Sequence, residues 1–364
     1  MSVVATDVVV VGGGVMGSVA AWRLASRGAD TVLLERFEPG HVRGASHGAS
    51  RIFRFAYPDP LYTRLAVQAL PAWRDIETAA GTGLLSVTGG VDHGIDAGTG
   101  AVAKALQLAG VPGQWLDPAE AARRWPGLRF DGRVLFHPAG GRVDADAAVA
   151  ALQKLAVAAG ARVHHHVRVT GIGDGEVVTE AGDTYRSRRV VVCAGAWTER
   201  LLGERVQLPP LQVTQEQPLH FAPRFDGEWP SFIHHRGPDA APFAFVYGMR
   251  APGEGIKVGF HHAGPECDPD ARDFAPETRR LNVLLDYIRE WVPGADAQAW
   301  TPISCTYTST PTEDFVIDAV GDLVVAAGFS GHGFKFAPVV GSMLADLALG
   351  GPRPPQRFAL PRQR

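Results

Sequence analysis

A glycine-rich turn directly after a β-branched run is the feature that most constrains the fold of this chain. Four consecutive valines, Val8–Val11, lead into Gly12-Gly13-Gly14-Val15-Met16-Gly17, which has the spacing GxGxxG. The residues from Gly14 to Arg27 are typical of a helix, and Thr31–Glu35 is typical of a second buried strand. Strand, turn, helix and strand in this order predict a βαβ unit with a right-handed crossover, and hence an α/β fold.

The same turn predicts a binding site for a dinucleotide. Glycines permit a tight turn and a close approach of the backbone to a pyrophosphate, and the helix N-terminus attracts its negative charge. Glu35 lies 18 residues after Gly17, where a carboxylate can accept hydrogen bonds from ribose hydroxyls. The alternative is a glycine turn without a ligand. It is disfavoured because strand, glycine motif, helix, second strand and terminal acid occur together in this order. The turn alone does not separate FAD from NAD.

Further helices and buried strands are predicted along the chain. Leu61–Ala79 has helical periodicity, and Pro71 is expected to end or kink that helix. Asp146 is expected to cap a helix that runs to about Ala159, and Arg162–Val169 alternates as a strand does. The remaining α/β elements are buried strands at Arg189–Val192 and Asp322–Ala327 and a last helix near Ala337–Leu349.

Short strands with Gly/Pro turns lie between these α/β blocks. They indicate a β-rich (α+β) substrate domain that is inserted into a discontinuous Rossmann-like domain. We predict residues 1–82, 143–208 and 305–364 for the Rossmann-like domain, and residues 83–142 and 209–304 for the substrate domain. The short strands are Leu84–Val91, Val134–Phe136, Phe243–Met249 and Gly255–His261.

Composition excludes several classes of protein. The apolar fraction of 46% allows a large core, and the net charge of −3 gives no basic surface for nucleic acid or an anionic membrane. Three cysteines (Cys193, Cys267 and Cys305) are too few and too far apart for a disulfide framework. The first residues carry no basic segment and no apolar stretch of membrane-spanning length. We therefore expect a cytoplasmic protein.

Two segments place cations where a ligand could meet them. The segment from Gly44 to Arg54 contains His47, Arg51 and Arg54 among glycines, alanines and serines, and a guanidinium suits a carboxylate. The alternative interpretation is a solvated basic loop. Lys257 shares one face of a strand with His261, so that this face lines either a cavity or the solvent.

Two motifs near the C-terminal end are also candidates. Cys305 lies in Ser304-Cys305-Thr306-Tyr307-Thr308, where the alternative is an inert core cysteine. Gly328–Phe336 follows a buried strand, places Lys335 before the last helix, and suggests backbone pressed against a cofactor. Its alternative is a structural turn. No metal site is predicted, because adjacent histidines such as those at positions 164–166 alternate between strand faces.

In this order, the motifs resemble the monomeric sarcosine oxidase family, which includes N-methyltryptophan oxidase and pipecolate oxidase. That family belongs to the D-amino-acid-oxidase class of flavoproteins. The resemblance covers essentially the whole chain, and its most specific parts are Cys305-Thr306-Tyr307 and the string GFSGHGFKF at Gly328–Phe336. It implies that the Rossmann-like domain binds FAD.

The resemblance also implies individual roles. Cys305 corresponds to the cysteine that is linked covalently to the flavin, and His47 and Arg51 to a pair against the flavin ring. Lys257 corresponds to the lysine that activates oxygen. Arg54 and Lys335 correspond to the cations that hold the substrate carboxylate, and Tyr247 to a residue of the cavity wall.

The implied catalytic residues are Lys257, His261, Arg51 and Tyr307. The implied substrate-binding residues are Arg54, Lys335, Tyr247 and His261. The implied cofactor-binding residues are Gly12, Gly14, Val15, Met16, Gly17, Glu35, Arg36, Ser46, His47, Arg51, Cys305, Gly331, Gly333 and Lys335.

The function implied by the resemblance is FAD-dependent oxidation of a small secondary (N-methyl or N-alkyl) amino acid to an imine, with electrons passed to O2 to give H2O2. A positive pocket of Arg54, Lys335 and Lys257 would anchor the carboxylate and lower the pKa of the bound amine. We expect a monomer without nucleic-acid or membrane partners. The open alternatives are oxidation of a cyclic imino acid such as pipecolate or of a larger N-alkyl amino acid, a flavin dehydrogenase with a protein electron acceptor, and a non-catalytic dinucleotide-binding sensor.

Overall fold

Residues 2–361, which a computed structural model describes, fold into two large β-sheets, two small ones and the helices that pack on them. The helices are α1 (Val15–Ala25), α2 (Pro60–Ala80), α3 (Asp96–Leu108), α4 (Pro118–Arg124), α5 (Ala145–Ala158), α6 (Thr198–Leu202), α7 (Thr278–Trp291) and α8 (Ala337–Ala348). The strands are β1 (Val3–Val11), β2 (Thr31–Leu34), β3 (Arg51–Phe53), β4 (Leu85–Val87), β5 (Gly90–Gly94), β6 (Gln114–Leu116), β7 (Val134–His137), β8 (Gly141–Val143), β9 (Arg162–His164), β10 (Val169–Ile172), β11 (Glu176–Thr179), β12 (Thr184–Val192), β13 (Gln212–Glu216), β14 (Leu219–Pro223), β15 (Ser231–His235), β16 (Phe245–Ala251), β17 (Gly255–Phe260), β18 (Ala295–Pro302), β19 (Cys305–Ser309), β20 (Val316–Val320) and β21 (Leu323–Ala327).

The first large sheet has β1 at its centre and confirms the predicted βαβ unit. β1 pairs in parallel with β2 and β12, and β9 and β21 extend the parallel part on either side. Side chains alternate along β1, so Val8 and Val10 pack with α1, α5 and α8, whereas Val9 and Val11 belong to the apolar cluster on the opposite face. A strand buried on both faces requires the continuous valine run that the sequence shows.

Two details of the predicted helices were wrong. Of the two effects expected of Pro71, it does not end α2, which continues to Ala80 because apolar residues before and after the proline, such as Ala69 and Trp73, are fully buried on the same face. The kink at Pro71 stays a prediction. The N-cap of α5 is Asp144, whose carboxylate accepts from the backbone N–H of Ala147. Asp146 lies in the first turn and accepts instead from the N–H of Gly48, at 2.9 Å.

The strand predicted for Arg162–Val169 is interrupted. β9 ends at His164, and His166 has a φ of 59°, which no regular strand allows. Pairing resumes at Val169 in β10 with a different neighbour, β11. The alternation of side-chain types predicted a single strand. The chain instead leaves one edge of the sheet at β9 and re-enters it at the opposite edge as β10.

The second large sheet has two unlike faces. Its strand order is β18-β14-β17-β16-β15-β5-β7-β6, and neighbours are antiparallel except β5 and β15. On one face, Val258 and Phe232 belong to the apolar cluster that includes residues of α7. On the other face, Gly259, Tyr247, Ile233 and Asp92 lie side by side in register across four strands.

The predicted division into two domains stays a prediction, although the sheets are compatible with it. Every strand of the first large sheet lies within residues 1–82, 143–208 and 305–364, and every strand of the second lies within 83–142 and 209–304. Residue 1 and residues 362–364 of the predicted ranges lie outside the described residues. Over the described range, no helix has the length and apolar character required to cross a membrane.

Gly17 provides a test of the close packing between β1 and α1. A Cβ at this position would overlap the carbonyl oxygen of Gly12. We expect Gly17→Ala to lower the free energy of unfolding by about 1–3 kcal/mol, measured by urea denaturation. Gly83→Ala is the matched control, because a Cβ there would contact nothing and its φ is not left-handed. Equal stability of the two variants would contradict this packing.

Candidate active site

A cavity of about 450 Å³ runs along the carboxyl ends of the parallel strands and is called the cofactor groove. It is lined by the turn after β1, by Glu35 and Arg36 after β2, and by Cys193–Trp197 after β12. Ligands of open α/β sheets bind at this edge, because loops diverge there and helices begin with free N–H groups. The groove is therefore placed where a dinucleotide is expected.

Backbone contacts shape the floor of the cofactor groove. The N–H of Gly13 donates to Glu35 Oε2 at 2.6 Å, and the N–H of Phe37 donates to Glu35 Oε1 at 2.8 Å. Ser46 Oγ accepts from the N–H of Val15, the first residue of α1, at 3.1 Å. Glu35 thus fixes the turn through its two oxygens, each of which keeps a lone pair for a further donor.

The residues of the groove fit an FAD. Gly12 has a φ of 103°, and a Cβ there would overlap the carbonyl oxygen of Cys193. A Cβ on Gly13 would lie 2.9 Å from the Glu35 side chain, and one on Gly14 would lie 3.1 Å from Ser46 Oγ. The floor is consequently bare backbone at the start of α1, which is what a pyrophosphate requires.

Most of the predicted cofactor residues line this groove, and three do not. Gly17 is buried inside α1, Lys335 lies in a second cavity, and His47 is buried beside Arg51. Burial and the charges of Arg51 and Lys257 lower the pKa of His47 to about 2. Its Nε2 has no hydrogen-bond partner within residues 2–361. The predicted residues in the wall are Gly12, Gly14, Val15, Met16, Glu35, Arg36, Ser46, Arg51, Cys305, Gly331 and Gly333.

A second cavity of about 620 Å³, called the substrate cavity, adjoins the groove. Arg51, Cys305, Tyr307, Gly331 and Phe334 line both spaces. Cys305 Sγ lies 3.8 Å from Arg51 Nη2, and only 8% of the residue is exposed. The sulfur is therefore at the junction of the two cavities.

Two cations of the substrate cavity meet at Tyr57. Lys335 Nζ donates to the Tyr57 hydroxyl at 2.8 Å and to the carbonyl of His332 at 2.7 Å. The Arg54 guanidinium lies 4.5 Å from the centre of the Tyr57 ring. Burial and the nearby Arg54 charge hold the pKa of Lys335 well below its usual range, and burial raises that of Tyr57 to about 12. This corner of the cavity therefore offers an anion the hydrogen-bond donors of two basic side chains.

Lys257 lies on the cavity face of β17 and is 4% exposed, which rules out the solvent-facing alternative. Burial, together with the charge of Arg51, lowers its pKa to about 7. Its ammonium group is therefore titratable near neutral pH and adjoins the wall that the two cavities share.

Aromatic hydroxyls complete the wall. His261 Nδ1 and the Tyr307 hydroxyl are 3.2 Å apart, and the Tyr247 ring lies across Gly259, whose added Cβ would be 2.9 Å from the tyrosine oxygen. Burial raises the pKa of both tyrosines and lowers that of His261. The structure thus gathers into one cavity the predicted residues Arg51, Arg54, Tyr247, Lys257, His261, Cys305, Tyr307 and Lys335.

Several cavity residues were not found from the sequence. Tyr57 and His332 bond to Lys335, and His235 lines the cavity with its ring bonded to the buried Asp92. An acid directly after the predicted strand Leu84–Val91 was the available indication of Asp92. His261, His262 and Glu313 also bring potential metal-ligand atoms within 4.8 Å of one another, a grouping that sequence spacing did not indicate.

Comparison with known proteins agrees with this geometry. The profile of the family described as "FAD dependent oxidoreductase" matches residues 7–347. Monomeric sarcosine oxidase of Streptomyces avermitilis is 36% identical over 95% of this chain and 94% of its own length, and peroxisomal sarcosine oxidase of Mus musculus is 34% identical over 94% and 92%. A solved structure of NikD, "an unusual amino acid oxidase essential for nikkomycin biosynthesis", superposes with a TM-score of 0.87 at 28% identity and covers 98% of each chain. The chain belongs to the FAD dependent oxidoreductase family and, within it, to the monomeric sarcosine oxidase family.

Proposed function

We propose that this protein oxidises a secondary amino acid, N-methyl or N-alkyl, to the corresponding imine and passes the electrons to O2, which forms H2O2. The observation that carries the proposal is one cavity whose lining contains the half-buried Arg54, the buried Lys335 and Cys305. The relatives named sarcosine oxidase support an N-methyl amino acid as the substrate class.

Arg54 and Lys335 bind the substrate carboxylate in this proposal. Desolvation disfavours the charged form of Lys335, and an anion beside it restores that form. The same positive field lowers the pKa of the substrate amine, which must be neutral to give up hydrogen from the adjacent carbon.

The remaining residues orient the substrate and act on oxygen. FAD, when bound, supplies the two-electron acceptor for the C–H bond next to the amine. Tyr307, through its contact with His261, and Tyr247 close the wall and exclude water from the reacting carbon. Lys257 holds a positive charge where negative charge develops as oxygen is reduced.

We also propose that Cys305 binds the flavin covalently, because its sulfur lies at the junction of the groove and the substrate cavity. Cys193 is a poor candidate, since burial raises its pKa to about 12. The monomeric state and the cytoplasmic location stay predictions.

The proposed function is tested by measuring H2O2 release from sarcosine, N-methylalanine and pipecolate under air. We expect release with the N-methyl substrates. Reduction of an electron-accepting dye without H2O2 would favour a dehydrogenase, oxidation of pipecolate alone would favour a cyclic imino acid, and no turnover at all would favour a sensor. Each of these three results would overturn the proposal.

Replacement of Lys335 tests the carboxylate site. We expect Lys335→Met to weaken the binding of acetate by about 10- to 100-fold, as loss of a hydrogen bond to a charged group implies. Isothermal titration calorimetry of the holoenzyme gives this ratio. Lys154→Met, at an exposed position of α5, is the control and should leave the affinity unchanged. Unchanged acetate binding by the Lys335 variant would place the anchor elsewhere.

A further inference from the structure

We propose that the end of the substrate cavity beside α3 is a compartment for the substrate's side chain. It would take a bulky group that is apolar apart from a hydrogen-bond donor near its end. This inference rests on the proposed function and revises its expectation of a small substrate. The compartment is lined by Gly98, Ala101, Val102, Ile233, His235 and Phe245.

The strand order places this compartment away from the cofactor groove. Lys257 is on β17, and β16, β15 and β5 follow in order across the sheet, with α3 directly after β5. Ile233 on β15 is thus two strands from Lys257, or about 10 Å at the usual strand spacing. The cavity floor extends that far because Tyr247 and Ile233 are paired on the same face.

One face of α3 keeps the compartment open. Gly98, Ala101 and Val102 are spaced i, i+3 and i+4, so they share the side of the helix that faces the sheet. All three residues are small for a cavity wall. A Cβ on Gly98 would already come within 3.0 Å of His235 Nδ1. Larger residues on this face would fill the space.

The opposite wall presents apolar surface that the folded chain leaves uncovered. Phe245 is 46% exposed although its ring lines the cavity, and Ile233 is half-buried. Apolar surface inside a cavity is stabilised when a ligand covers it. A substrate without a side chain would leave this surface in contact with water.

His235 supplies the polar group of the compartment. Its Nε2 lies 2.9 Å from Asp92 Oδ1, and His137 Nε2 lies 3.3 Å from Asp92 Oδ2. Burial alone would raise the pKa of Asp92, but these two histidine bonds outweigh it and hold the pKa below its usual range. An ionised carboxylate only accepts, so the Nε2 of His235 carries a proton. When the ring is neutral, Nδ1 is then an acceptor, and it lies beside Gly98 at the α3 wall of the compartment.

The compartment also adjoins the carboxylate site. Arg54 Nη1 lies 3.9 Å from Asp92 Oδ1, the same oxygen that binds His235. An amino-acid side chain leaves the carbon that carries the carboxylate. A substrate held by Arg54 would therefore direct its side chain toward His235 and Phe245, whose rings are 5.5 Å apart in an edge-to-face arrangement.

The first measurement compares ligands on the holoenzyme by calorimetry. We expect indole-3-acetate to bind at least about tenfold more tightly than acetate, because apolar groups that fill a pocket contribute this much or more. Benzofuran-3-acetate, in which oxygen replaces the indole N–H, should bind about fivefold more weakly than indole-3-acetate. Equal binding of acetate and indole-3-acetate would overturn the compartment. Equal binding of the two bicyclic acids would overturn the role of His235.

The second measurement fills the compartment. Ala101→Phe adds a ring at an exposed position that lines the cavity, whereas Gly100→Phe adds one at a neighbouring exposed position that does not. We expect Ala101→Phe to lower the ratio of kcat/KM for N-methyltryptophan to kcat/KM for sarcosine by at least about tenfold. The Gly100 variant should match the wild type with both substrates.

These outcomes separate the two proposals. If neither sarcosine nor N-methyltryptophan releases H2O2, the proposed function fails. If sarcosine is oxidised and N-methyltryptophan is not, the function stands and the compartment is wrong. Equal loss of activity toward both substrates in the Ala101 variant would also contradict a side-chain compartment.

Discussion

Replacing Lys257 with methionine is expected to slow the reaction of the reduced enzyme with O2 by about 10²- to 10³-fold, the usual loss when one preorganised electrostatic group is removed. The ammonium group is buried on β17, where its charge is weakly screened. Methionine preserves the length of the side chain and removes the charge. Anaerobic reduction by the substrate should change much less, because the carboxylate site proposed at Arg54 and Lys335 is left intact. Stopped-flow absorbance at the flavin band measures the two half-reactions separately.

The pH dependence gives this prediction a direction. The pKa of Lys257 is lowered to about 7, so its positive charge is present below that pH and is lost above it. The oxygen reaction of the wild type should therefore become slower as the pH rises through about 7, and that of the methionine variant should not respond to Lys257 titration. Lys104→Met, at an exposed position of α3, is the control. Equal slowing of the two half-reactions by Lys257→Met would show that Lys257 does not act on oxygen.

Replacing Cys305 with serine is expected to abolish the covalent attachment of FAD. Wild-type protein precipitated with acid should retain its yellow colour, because a thioether to the flavin 8α-methyl carbon survives denaturation. Forming that bond removes the thiol hydrogen and one methyl hydrogen, and the two electrons pass to oxygen. The serine variant should give a colourless pellet and a yellow supernatant, measured at the flavin absorbance.

Cys267→Ser is the matched control for this experiment. Cys267 is half-buried in a loop and lines neither cavity, so its replacement should leave the pellet yellow. A colourless wild-type pellet would refute covalent attachment altogether. A yellow pellet from the Cys305 variant would assign the bond to another residue.

Local patterns predicted the elements that are determined locally. The valine run of β1 follows from burial on both faces of the sheet. The GxGxxG turn follows from the positive φ that the backbone requires at Gly12. The helix α1 ends at Ala25, close to the end predicted at Arg27. The cap of α5 was assigned two residues too late, because Asp144 and Asp146 both suit an N-cap by composition. Only the backbone conformation decides between them.

Contacts between distant segments were outside the reach of such patterns. Asp92, His137 and His235 come from β5, β7 and β15, and their bonding depends on the register of two strand pairs. His234 and His235 are adjacent on β15, and alternation sends their side chains to opposite faces of the sheet. Cys305 and Lys335 were found through the family resemblance, since neither carries a local periodic pattern.

The two unlike faces of the second large sheet affect how the enzyme can change over evolutionary time. Along β15, β16 and β17, neighbouring positions alternate between the α7 core and the substrate cavity. We therefore expect mutations at Ile233, Tyr247 or Lys257 to change mainly selectivity or rate, and mutations at Phe232 or Val258 to change mainly stability. A mutant library restricted to the cavity-facing positions could be screened for activity on new substrates, and few of its variants would misfold.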